Sequence, residues 1–140
     1  MNITTVLPDA GKQRLSESWT TVYGMMHTFT LTHRACVDFK GHVAVEDKGM
    51  LLWKLVAARL VLRSYEGGVP SDDILDDTIF VENIHPYPHY KVMPVNTSMT
   101  LDPGTYRISA QARMAPYWKG AVVLKDPKYS KLQIKIEECE

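Results

Sequence analysis

From Met25 to Phe39 apolar and polar positions alternate. Met25, His27, Phe29, Leu31, His33, Ala35, Val37 and Phe39 fall on one side, and Thr28, Thr30, Thr32, Arg34 and Asp38 on the other. Side chains of a β-strand point to opposite faces in turn, so this pattern predicts one long half-buried antiparallel strand. Its threonine-rich face, β-branched and polar, suits a water-facing sheet surface. Between Val45 and Arg63 the period changes: Met50, Trp53, Val56 or Ala57, and Leu60 recur at helical spacing, with Lys54, Arg59 and Arg63 elsewhere. That spacing predicts an amphipathic helix. The stretch Arg59-Leu60-Val61-Leu62-Arg63 also fits a strand, and helix or strand over residues 59–65 stays open. Gly67-Gly68-Val69-Pro70 then ends the element.

Further strands are predicted at Thr78 to Ile84 and, after the break at Pro86 and Pro88, at Tyr90 to Val95. Behind the Asp102-Pro103-Gly104 turn, Tyr106, Ile108, Ala110, Ala112 and Met114 point one way, and Arg107, Ser109, Gln111 and Arg113 the other. Gly120 to Leu124 and Leu132 to Ile136 read as a hairpin around Asp126-Pro127-Lys128. Residues 1–15, with Pro8 and Gly11 and no periodicity, read as a flexible N-terminal arm ahead of a single domain over 16–140. The expected fold class is α+β: a single antiparallel sheet of about five to six strands packed against one main amphipathic helix.

A chain of 140 residues, 45% hydrophobic and 23% charged, is long enough for one core and excludes a disordered or low-complexity protein. Residues 1–9 lack a basic n-region and an apolar stretch, so no translocation signal is expected there. The apolar stretch Met50 to Leu62 is too short to cross a bilayer. Cys36 and Cys139 match no metal or redox spacing, and reduced thiols in a cytoplasmic setting are expected. The acceptor patterns Asn2-Ile3-Thr4 and Asn96-Thr97-Ser98 have no consequence without translocation.

Chemistry-bearing motifs are sparse. On a helix, His42 and Glu46 would share a face, and with His85 and His89 they could form an open zinc site. That would make a small metal-dependent enzyme, the least favoured of three readings; neither a metal nor any other cofactor is expected. No nucleophile elbow or phosphate-binding glycine loop occurs. The acidic cluster Asp72, Asp73, Asp76 and Asp77 lacks EF-hand spacing and reads as a docking strip for a basic partner, as in an inhibitor or immunity-type module.

The Lys+Arg and Asp+Glu totals are both 16, yet the charge is unevenly spread. Between Gly104 and Lys135 seven basic residues face Asp126 alone, a local charge of +6, with Tyr106, Tyr117, Trp118 and Tyr129 interleaved. Arg107, Arg113, Tyr117, Trp118, Lys119, Lys125, Lys128 and Lys131 are therefore the expected contacts to an anionic surface. Neutrality in sum conceals a basic and an acidic patch, an arrangement suited to assembly of copies.

The order of these features resembles the matrix proteins of rhabdoviruses and related negative-strand viruses. The residues that carry it are the strand Thr28 to Phe39, a helix bearing Trp53, the Tyr65-Glu66-Gly67-Gly68 turn, Gly104-Thr105-Tyr106-Arg107-Ile108 and the closing Gly120 to Ile136 hairpin. Tyr87-Pro88-His89-Tyr90 is similar to the Tyr-Pro-x-Leu type of budding motif, which adds Tyr87, Pro88 and Tyr90 as partner-docking residues. The resemblance implies a non-catalytic homo-oligomer that bridges a peripheral anionic membrane and a nucleoprotein, in the cytoplasm or the virion. Unlike that family, residues 1–15 contain only Lys12 and Arg14 as basic residues.

Overall fold

Strands account for all the regular structure in the computed structural model, which describes residues 2–8, 13, 15–16, 18–47, 54–66, 69–70, 80–84, 90–114, 122–124 and 130–139. They are β1 (Asn2–Val6), β2 (Thr20–Leu31), β3 (Ala35–Asp47), β4 (Lys54–Glu66) and β5 (Val69–Pro70). After them come β6 (Phe80–Ile84), β7 (Tyr90–Leu101), β8 (Gly104–Met114), β9 (Val122–Leu124) and β10 (Lys131–Glu138). All recorded pairings are antiparallel and fall into two sheets.

The first sheet has the order β1-β10-β3-β7. Because β7 lines β3 from Ala35 to Glu46, the other edge of β3 is shared end to end by β10, opposite residues 35–42, and β9, opposite residues 45–47. The second sheet has the order β2-β8-β4-β5, with β6 also on β4. The links from β1 to β2, β2 to β3, β3 to β4, β6 to β7, β7 to β8 and β8 to β9 each pass from one sheet to the other. Two four-strand layers, β1-β10-β3-β7 and β2-β8-β4-β6, joined this way are a double-sheet jelly roll.

Alternation decides the core. Val37, Phe39, Val43 and Val45 of β3, Met93 and Val95 of β7, and Leu132 and Ile134 of β10 point inward from the first sheet. Val56, Ala58, Leu60 and Leu62 of β4 and Tyr106, Ile108, Ala110, Ala112 and Met114 of β8 meet them from the second. Each large side chain so buried contributes about 1.5–3 kcal/mol. Phe29 of β2 joins the layers, its ring 6.1 Å from Phe39 and 5.7 Å from Tyr106 between centroids. The Tyr106 hydroxyl donates to the Asp102 carbonyl at 2.7 Å and fastens the link between β7 and β8.

The α+β expectation, with its main helix and single sheet, is thus corrected to an all-β sandwich. Residues 59–65 are strand. Val56, Ala58, Leu60 and Leu62 face the core, while Ala57 and Val61, on the opposite face, are also buried, so the strand reads as a continuous apolar run that imitates a helix. The single strand expected from Met25 to Phe39 is two strands in different sheets, parted at residues 32–34. The expected hairpin of β9 and β10 is also replaced, since both pair with β3. Asn2–Val6, within the segment read as an arm, forms β1 along β10. Gln13 and Leu15 of that same segment are buried.

Two local features set strand geometry. Between Thr21 and Met26 the register of β2 on β8 shifts, and Gly24 there adopts φ 84°, a left-handed conformation that glycine tolerates. The Gln13 amide serves this bulge: Nε2 donates to the Thr21 carbonyl at 2.8 Å, and the Tyr23 N–H donates to Oε1 at 2.8 Å. The cysteines, expected as reduced thiols, are joined as Cys36–Cys139. Cys139 follows β10, whose register sets Glu137 opposite Cys36, so the tail lies alongside β3.

Candidate functional site

The solvent-side face of the second sheet gathers arginine and aromatic side chains from β4, β8 and the approach to β2. Register sets Arg63 of β4 directly opposite Arg107 of β8, a like-charge pairing that costs stability where nothing offsets it. The Arg107 guanidinium lies 4.8 Å from the Tyr65 ring centroid, and its Nε donates to Thr28 Oγ1 at 3.1 Å. Farther along, the Trp19 ring takes two guanidiniums, Arg59 at 4.3 Å and Arg113 at 4.8 Å. Arg59 Nε also donates to Gln111 Oε1 at 2.8 Å. Cation–π contacts of this kind contribute about 0.5–2 kcal/mol each and hold the guanidinium planes in fixed orientation. All four arginines are half-buried, so their stems cover the strands while charge stays at the surface.

The outer face of the first sheet is polar and mixed in sign. Cross-strand rows run Ile3-Lys135-Asp38-Ser98 and Thr5-Gln133-Lys40-Asn96, with Lys131-His42-Pro94 beyond them. Ser98 donates its hydroxyl to Asp38, Gly41 N–H donates to Asn96 Oδ1 at 3.2 Å, and Lys135 pairs with Glu137 at 3.8 Å. Burial first, and then the positive charge of Lys131, lowers the His42 pKa below its ordinary value. A depression beside the disulfide is lined by Asp38, Ser98, Thr100, Lys135 and Glu137.

The residues expected to bind an anionic surface divide between these faces. Arg107 and Arg113 share the second sheet, whereas Lys131 lies on the first, across β3 from Pro94. Tyr117, Trp118, Lys119, Lys125 and Lys128 fall outside the described residues, as do Asp72, Asp73, Asp76, Asp77, Tyr87 and Pro88. Tyr90 begins β7, opposite Glu46. Arg59, Arg63, Trp19 and Tyr65 were not picked out by sequence. A period-two reading of residues 57–65 would have placed Arg59, Arg63 and Tyr65 on one face.

The helical pair His42 and Glu46 does not form. Both lie on β3, where four residues of rise separate their Cα atoms by roughly 13 Å. His85 and His89 are outside the described residues. Among the described residues, no three His, Cys, Asp or Glu side chains group as metal ligands.

No family model and no curated protein sequence matches this chain. Its fold is similar to the structure of infectious bursal disease virus, Gx strain, with TM-score 0.56 and 8% identity over 95% of this chain and 32% of that one. It is also similar to a point mutant of the VP2 protein of the same virus in derived T=1 particles, with TM-score 0.53 and 9% identity over 95% and 31%. The chain therefore spans about a third of the length of these structures. At such identity the likeness establishes the fold. It also replaces the resemblance to rhabdovirus matrix proteins: of the segment Val45 to Arg63 expected as a helix, residues 45–47 and 54–63 are strand, and Trp53 lies outside the described residues.

Proposed function

We propose that the chain is a non-catalytic structural protein of a virus particle, which works by associating with copies of itself. One observation carries this reading: the two-sheet fold of virus-particle structures extends over 95% of the chain. A fold alone does not fix a function, and jelly rolls also serve as lectin domains. The site chemistry leans the same way, with arginines held by aromatic rings on one sheet face and a polar depression on the other.

In this reading the Arg59, Arg63, Arg107 and Arg113 face docks an anionic partner surface, the role that sequence had given to Arg107 and Arg113. No helix among the described residues is long and apolar enough to cross a membrane. Sedimentation velocity across protein concentrations at low and high salt, with negative-stain microscopy of the heavy fractions, tests the reading. Growth of regular larger species with concentration supports it. A monomer at every soluble concentration and both salt levels overturns it.

A further inference from the structure

The two flanks of the sandwich are protected differently. On one flank the edge strand β7 contains Lys91 and Pro94, and its neighbour β6 contains Glu82. Charge and proline are the usual means by which an open sheet edge avoids pairing with another chain. On the other flank the edges are β1 and β2, which approach each other and end their sheets. Neither the 5 residues of β1 nor the 12 of β2 include an Asp, Glu, Lys or Arg. Among the described residues β1 pairs with β10 alone and β2 with β8 alone.

Exposure follows the same asymmetry. Ile3 is 58% exposed, Leu7 55%, Tyr23 60% and Met26 49%, all on or beside this flank. The remaining large apolar side chain so exposed among the described residues is Val92, on β7. The bulge at Thr21 to Met26 ends the regular edge of β2, because an extra loop of chain there breaks the ladder. Beyond it Met26 to Leu31 run in unbroken register with β8, with Met26, Thr28 and Thr30 exposed and Phe29 and Leu31 in the core.

We propose that β2 pairs edge to edge with β2 of a second copy over Met26 to Leu31, about a two-fold axis, joining two sandwiches through one continuous sheet. The proposal rests on the self-association reading above and names the surface through which it acts. An antiparallel pairing about a two-fold axis sets the residue on the axis beside its own counterpart and pairs the others reciprocally, so a charge near the axis would face its like-charged copy. A strand free of Asp, Glu, Lys and Arg escapes that repulsion, and threonines opposite one another pair favourably. An antiparallel strand is self-complementary in this symmetry, and its open N–H and C=O groups supply the contacts.

The test uses the full chain and two matched substitutions, Met26→Lys on this flank and Val92→Lys on the other. Sedimentation equilibrium should show Met26→Lys weakening dimerisation roughly tenfold or more while Val92→Lys leaves it as in the wild type. Amide exchange of the wild type supplies a reading free of mutation: protection at residues 26–31 should rise with protein concentration. Dimerisation unaffected by Met26→Lys, or lost equally in both variants, overturns the proposal while self-association stands, as does protection at 26–31 that ignores concentration. Slowed exchange there only on adding a foreign extended peptide also overturns it. A wild type that stays monomeric throughout overturns the self-association reading itself.

Discussion

Cys36 and Cys139 are joined across 103 positions of sequence, with Cα atoms 5.2 Å apart, so that the residue after β10 is tied to the beginning of β3. The closed loop contains β3 to β10 and leaves β1 and β2 outside it. Cross-linking a loop of about 100 residues restricts the unfolded chain by up to about 4.7 kcal/mol in the chain-entropy picture, and 2–4 kcal/mol is typical. Reduction, or a Cys36→Ala, Cys139→Ala double variant, should lower the unfolding free energy by about 2–4 kcal/mol. Urea unfolding with and without reductant measures this, and the double variant should show no further response to reductant.

The bulge in β2 depends on a residue from the segment that sequence assigned to a flexible arm. Gln13 is 3% exposed and satisfies both the Thr21 carbonyl and the Tyr23 N–H. Gln13→Ala leaves both backbone groups without that partner, at a cost of about 1–3 kcal/mol. Gln13→Glu keeps the acceptor for Tyr23 but turns a carboxylate oxygen toward the Thr21 carbonyl. Both variants should melt below the wild type, with faster amide exchange at Tyr23 in Gln13→Ala than in Gln13→Glu.

Strand positions were legible wherever one face is buried and the other wet. Tyr106, Ile108, Ala110, Ala112 and Met114 are all buried, as their alternation requires. Met25, Phe29 and Leu31, and then Ala35, Val37 and Phe39, keep the expected parity on both sides of a turn. What alternation cannot report is a change of sheet: the core lies between the layers, so a chain crossing from one to the other keeps the same inward parity. In β4 the alternation itself is hidden, because Ala57 and Val61 are buried on the outer face as well. The arginine face was half legible for the same reason. Arg107 and Arg113 came with a clear strand, whereas Arg59 and Arg63 were masked by the apparent helix and Trp19 joins them only through the fold.

Gly41 of β3 lies opposite Leu132 of β10. A Cβ built at this position would overlap the Lys131 carbonyl oxygen and fall 2.9 Å from Leu132 Cα. Both are backbone atoms of the paired strand, which cannot yield by rotating a side chain. Gly41→Ala should therefore destabilise by about 1–3 kcal/mol, the range for forcing atoms into a packed interior. Chemical denaturation measures the loss, and NMR shift changes should concentrate at residues 130–133, where β10 is displaced.

His42 gives the sandwich a dependence on pH with a definite sign. It lies between Lys131 of β10 and Pro94 of β7 on the outer face of the first sheet. Burial and the Lys131 charge both disfavour its protonated form, so its folded pKa lies below the ordinary histidine value of 6.5 that applies to the unfolded chain. The unfolded chain accordingly binds more protons as pH falls through this range. The contribution of His42 is fully present above the unfolded pKa and is lost progressively as pH drops from about 6.5 toward the folded value. His42→Asn should therefore lose less stability than the wild type between neutral pH and the acid side of this window. Lys131→Met removes the repulsion but not the burial, so the His42 titration followed by NMR should move up toward 6.5 without reaching it. A titration unchanged by Lys131→Met would leave burial alone to account for the low pKa.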